Sequence, residues 1–160
     1  QTGGLSMTRG RSLLDGPHWS RCYACADGGY ISVQCLEPKF YAEFLARLGL
    51  TEDPDLAPQF EAARWPQPTA LLAGIFARHP RSHWESLFAG SDACVAPTLD
   101  PLESRAEPHM AARGVWQEIG GVLQAAAAPR FSTEPSSVPH PIPARGEHSQ
   151  SILDWLQQHD

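Results

Sequence analysis

The stretch from Tyr23 to Leu50 constrains the chain more than any other, because it fixes a turn, a strand, a helix start and a helix end in 28 residues. Asp27-Gly28-Gly29 separates two short apolar-rich runs, the signal for a tight hairpin turn with positive φ angles. Tyr30 to Leu36 is rich in β-formers, and Tyr30, Ile31 and Val33 suit a pleated surface. Pro38 suits a first helical turn, where its missing N–H would have had no partner. Phe40, Tyr41, Phe44, Leu45 and Leu48 then keep helical spacing, and Gly49 ends the helix. Glu37 therefore falls at a strand–helix junction, near helix amides that favour a carboxylate. On this local pattern alone it reads as a helix N-terminal acid.

At 160 residues the chain is long enough for one domain with a real core, and 42% apolar residues argue against wholesale disorder. A net charge of −6 disfavours nucleic acid or an anionic membrane as the main partner. No apolar run approaches the eighteen or so residues needed to span a bilayer, and no charged-then-apolar leader pattern opens the chain.

Residues 1–21 carry glycines, arginines and serines and read as a linker. The hairpin and helix follow, then a loop from Thr51 to Pro58 containing two prolines and a cluster of acids. Leu71, Leu72, Ile75 and Phe76 recur at helical spacing within a helix expected from Pro66 towards His79. Pro80 opens the next helix, with Trp84, Leu87 and Phe88 on one face and Gly90 at its end. Cys94 to Leu99 reads as an edge strand because Pro97 interrupts it. One helix from about Leu102 to Ala112 and a strand from Val115 to Ile119 complete a small α/β domain over 22–119. The expected fold is α/β of the α+β type: a small mixed sheet with a β-hairpin and several packed helices. Residues 120–160 change character, with five prolines between Pro129 and Pro143 and an extended Val138–Pro143 run. They read as a Pro-rich strap ending in an amphipathic helix, with Ile152, Leu153 and Leu156 facing inward.

Cys22 and Cys25 form a C-x-x-C pair, a spacing that serves zinc or redox chemistry. On a strand, residues three apart point to opposite faces, and no second C-x-x-C or H-x-x-x-H follows. The four cysteines, with Cys35 and Cys94, are expected as buried or half-buried thiols in a reducing compartment, with no metal. His79 and His83 read as surface residues, and His18, His109, His140, His148 and His159 lie in expected loops or near ends. Asp92 reads as a turn or capping residue.

The order "aspartate-glycine, hydrophobic strand, Glu-Pro-x-Phe-Tyr, helix, Leu-Gly-Leu" resembles the small domain of α-methylacyl-CoA racemases, in the class III CoA-transferase superfamily. Further matches follow colinearly: Trp65-Pro66, Trp84 with Phe88, Ser91 to Pro97, Pro108-His109-Met110, Ala128 to Ser132, and Gly146 to Ser149. The resemblance implies the C-terminal part of a longer protein, with 120–160 returning to a large domain absent here. It implies inversion at the α-carbon of 2-methylacyl-CoA thioesters by two-base proton transfer, and inactivity of this fragment alone. In that family the glutamate matching Glu37 supports a catalytic histidine, which here lies outside the chain, as does the opposite aspartate base. Coenzyme A enters as part of the substrate thioester, with no permanently bound cofactor. An interlocked homodimer in a cytoplasmic setting is implied as well, with no nucleic acid and no membrane.

The aromatic pair that lines the racemase acyl site is replaced by Trp19-Ser20, so the tyrosine is lost at Ser20, and a common glycine is Gln34. Leu36 is a candidate acyl contact beside Glu37, or a core residue. The substrate-binding candidates are thus Leu36, Ser20 and Trp19. Two other readings stay open: a class III CoA transferase, and a non-catalytic binding or assembly module.

Overall fold

The computed structural model describes residues 6–133 and 141–159, so part of the proline-rich run lies outside the described residues. The chain divides into two units, Gln1–Leu99 and Asp100–Asp160. No helix among the described residues is long and apolar enough to cross a membrane.

The first unit holds an antiparallel sheet in the order β1 (Ser20–Ala24), β2 (Tyr30–Gln34), β3 (Val95–Thr98). Cys22 pairs with Ser32 and Ile31 with Pro97, so the proline occupies an edge strand, where its missing donor faces away from the ladder. The hairpin loop is longer than a two-residue turn: Cys25 N–H bonds Gly29 O at 2.8 Å, and Gly28 N–H returns to Cys25 O at 3.1 Å. Only Gly28 of the glycine pair takes a positive φ, at 80°. Gly29 is there for space, because a Cβ would lie 3.0 Å from the Cβ of Arg81. Asp27 ties the loop down, accepting from Gly29 N–H and from Arg81 N–H at 3.1 Å each.

Helix α1 (Pro38–Leu48) starts on Pro38 and ends on Gly49 at φ 70°, as its sequence dictates. It buries Tyr41, Phe44 and Leu45. Helix α2 (Pro66–Phe76) lies against β1, and α3 (Arg81–Phe88) lies against β2 and β3. Between them runs an aromatic core. Phe76 stacks on Tyr23 at 5.0 Å between ring centroids and meets Trp84 edge-on at 4.9 Å, while Phe44 stacks on Phe88 at 5.8 Å.

The stretch preceding β1 packs inward. Asp15 accepts from Gly10 N–H and Ser12 N–H, which holds its carboxyl below the ordinary carboxylate range. His18, placed in a loop by sequence, is fully buried. Tyr41 donates its hydroxyl proton to Leu56 O at 2.8 Å, so it accepts from His18 Nε2–H at 2.7 Å. The Nδ1 of His18 is left with a buried lone pair and no partner. Burial lowers the imidazole pKa to about 4, with the nearby Arg21 charge adding to the effect.

Two of the four thiols depart from expectation. Cys25 and Cys35 are buried, but Cys22 and Cys94 are exposed. Cys22 sits on the outer face of β1, and Cys94 stands in the turn before β3 with φ 53°. His79 and His83 are exposed as read, their rings stacked at 4.1 Å.

In the second unit the single helix expected over 102–112 is two, α4 (Pro101–Ala106) and α5 (Pro108–Ala112). Pro108 forces Glu107 into an extended conformation, φ −65° and ψ 130°, and Glu107 then caps the second helix through Met110 N–H. An antiparallel hairpin follows, β4 (Trp116–Ile119) and β5 (Val122–Ala125), joined by Gly120-Gly121 with both φ angles positive. Strand β5 lies within 120–160, the stretch that the sequence reads as a Pro-rich strap ending in a helix. Helix α6 (Ser149–His159) forms, but Ile152, Leu153 and Leu156 are exposed rather than inward.

Two stability predictions follow from the first unit. Phe76→Ala removes a fully buried ring from the centre of the core and should cost about 3–5 kcal/mol, read from urea unfolding at neutral pH. His18 binds its proton more weakly folded than unfolded, so its contribution is present above pH 6.5 and lost as pH falls from 6.5 towards 4. The His18→Gln variant should lack that component; the difference between the two pH–stability curves should amount to about 3 kcal/mol across the window. Parallel curves would disprove it.

Candidate functional site

The ladder between β1 and β2 ends at Ser20 opposite Gln34, and α1 begins at Pro38. Cys35, Leu36 and Glu37 bridge the gap. Cys35 N–H donates to Trp19 O at 3.1 Å, and Leu36 N–H donates to Gln34 O at 3.1 Å. The carbonyls of Cys35 and Leu36 both accept from Gln59 Nε2, at 3.0 and 2.9 Å.

Glu37 is the N-cap residue of α1, with φ −74° and ψ 138°. Its backbone oxygen accepts from Phe40 and Tyr41 N–H, at 3.0 Å each. Its side chain caps nothing, and its exposed carboxylate has no hydrogen-bond or ion-pair partner among the described residues. The helix-capping role that the local pattern suggests is thus carried by the backbone alone. The carboxylate still exerts a field on Cys94: burial raises that thiol's pKa, Glu37 and Asp92 raise it further, and Lys39 opposes them. Cys94 and Asp92 are therefore neighbours of the junction, which the sequence did not connect to Glu37.

Leu36 is 45% exposed beside Glu37, so it is a surface residue and not core. Trp19 keeps 2% of its surface open, donates its indole N–H to Gln59 O at 2.8 Å, and meets the exposed ring of Phe60 edge-on at 5.6 Å. Ser20 is buried and donates its hydroxyl to Leu14 O at 2.9 Å, with Gln34 Oε1 3.0 Å away. The structure thus places Glu37 and Leu36 on an open ledge and sets Trp19 and Ser20 into the scaffold behind it. Two residues absent from the sequence reading join them. Gln59 underlies the ledge, and Phe60 follows it on the surface. Gln59 lies in a loop, and nothing in its local pattern marks it; only its distant partners do.

The chain matches CoA-transferase family III over residues 3–149. It is 36% identical over 150 residues to the alpha-methylacyl-CoA racemase of Mus musculus, and 32% identical over 158 residues to that of Homo sapiens. Each alignment covers 91% of this chain, which spans 39% of the length of each relative. Among solved structures, a Mycobacterium tuberculosis protein superposes with a TM-score of 0.63 at 22% identity, covering 81% of this chain and 37% of that one. A CAIB/BAIF family protein from Brucella suis gives 0.61 at 23% identity, covering 84% and 36%. Those two likenesses speak for the fold, while the family match and the mammalian identities extend along most of the sequence. The chain belongs to CoA-transferase family III.

Proposed function

We propose that this chain forms part of a racemase that inverts the α-carbon of 2-methylacyl-CoA thioesters by two-base proton transfer. The observation that carries the reading is the disposition of Glu37. Its backbone is held at a strand–helix junction, and its carboxylate is exposed and unpartnered among the described residues. The family membership and the racemase identity of the mammalian relatives direct it to that chemistry.

In this reading Glu37 accepts a hydrogen bond from the imidazole of a histidine outside these 160 residues. It sets the tautomer of the ring and stabilises its charged form. One base takes the proton α to the thioester carbonyl, the electron pair is held as an enolate, and the opposite base returns a proton to the other face. Coenzyme A enters and leaves as part of the thioester. Leu36 supplies an apolar contact for the acyl chain, and Trp19 and Ser20 shape that wall from behind. The histidine and its opposite base come from the rest of the protein, in a homodimer where this unit serves the partner's site.

The test is exchange of α-deuterium in a 2-methylacyl-CoA by the intact protein. Glu37→Gln should slow exchange by about 100-fold or more. The same variant removes a negative charge that raises the Cys94 pKa, so alkylation of Cys94 near pH 8 should speed up, with exposed Cys22 as internal reference. Coenzyme A transfer between two acids without α-exchange would overturn the reading, as would exchange by the isolated 160 residues.

A further inference from the structure

We propose that Gln59 is a positioning residue for Glu37, its side-chain amide holding the two peptide carbonyls that immediately precede the carboxylate; this rests on the reading of Glu37 above. The carbonyls of residues 35 and 36 fall between two hydrogen-bonding regimes. The ladder has ended at Gln34, and the helix takes over only at the Glu37 carbonyl. Unless another group reached them they would lack partners, and Cys35 is fully buried. Gln59 Nε2 carries two protons and delivers one to each, at 3.0 and 2.9 Å. Both acceptors being carbonyls, the nitrogen end of the amide must face them.

The anchor is itself fixed. The main-chain carbonyl of Gln59 accepts from two indoles, Trp19 Nε1–H at 2.8 Å and Trp65 Nε1–H at 3.0 Å. Those rings meet nearly perpendicular, at 85°, and Gln59 is 7% exposed. Trp19 also accepts at its own carbonyl from Cys35 N–H, so the segment before β1, the loop before α2 and the junction form one hydrogen-bonded unit. With residues 35 and 36 held and the Glu37 backbone bonded to Phe40 and Tyr41, the freedom left to the carboxylate is that of its own side chain. A neutral amide does this without titrating and without adding charge beside the carboxylate. No other side chain of similar size offers two donors on one nitrogen without charge, apart from the shorter asparagine.

The test is a double-mutant cycle in the intact protein, read by α-deuterium exchange of a 2-methylacyl-CoA. Gln59→Met keeps length and burial but removes both donors. It should lower kcat about tenfold, leave KM within about twofold, and cost less than about twofold in the Glu37→Gln background. An equal loss in both backgrounds would show that Gln59 acts on the fold at large, and would overturn this inference while leaving Glu37 in place. So would a change confined to KM. If Glu37→Gln leaves exchange untouched, the underlying reading falls and this inference with it. Circular dichroism and urea unfolding report whether the variant keeps its fold. Should Gln59→Met fail that check, Gln59→Asn, one methylene too short to span both carbonyls, replaces it; the expected result is a lowered kcat, and a wild-type kcat would overturn the proposal.

Discussion

Phe76 is the contact on which the first unit closes. It comes from α2, yet it stacks on Tyr23 of the sheet, packs within 6.5 Å of the α1 residue Phe44, and meets Trp84 of α3 edge-on. One ring thus reports on all four elements. Trp84 donates its indole N–H to Phe76 O, so the end of α2 is held by a hydrogen bond as well as by ring contact. Aromatic cores of this kind combine a large buried area with preferred ring angles, which fixes the relative placement of elements more closely than aliphatic packing does. The consequence reaches the surface. Because α1 is seated through Phe44, its first residue and the backbone of the preceding Glu37 are seated too.

A second, polar layer sits at the edge of that core. His18, Tyr41 and Leu56 form a buried chain of hydrogen bonds, and Gln59, Trp19 and Trp65 form another beside it. Both tie the segment before β1 to the loop between α1 and α2. Buried polar networks of this sort are costly when incomplete and specific when complete. Here nearly every member is satisfied, and the one orphan, His18 Nδ1, is a lone pair on a ring that stays neutral at physiological pH. The arrangement rigidifies the ground under the Glu37 junction without placing a charge there.

What could be read from sequence was what local chemistry decides. Pro38 and Gly49 set the limits of α1, Asp27-Gly28-Gly29 marked the hairpin, and Pro97 marked the edge strand, because each acts through its own backbone. Colinear motifs pointed to the family, since they sit along most of the chain. The failures share a different cause. His18 does lie in a turn, as the sequence indicates, but its burial was not legible, because it depends on Tyr41, 23 positions away. Gln59 was missed for the same reason, its acceptors being 23 and 24 positions distant. Local signals were also passed over: Gly120-Gly121 marks the β4–β5 turn, and Pro108 separates α4 from α5. For α6 the amphipathic pattern predicted the helix correctly but not what its apolar side faces.

The state of the Glu37 carboxylate follows from how α1 begins. An N-cap acid ordinarily accepts from the amide of the second or third helical residue. In α1 the first helical residue is Pro38, which has no N–H, and the third, Phe40, spends its N–H on the backbone oxygen of Glu37. Tyr41 N–H goes to that same oxygen. Of the two amides that could capture the side chain, that of Phe40 is already spent and that of Lys39 carries no bond to the carboxylate, in contrast to α4, where Asp100 caps Glu103 N–H in a full capping box. A helix start that satisfies itself through its backbone leaves its acid available for a group from elsewhere. The same residues that make Glu37 look like an ordinary helix-capping acid in the sequence therefore release it from that duty in the fold.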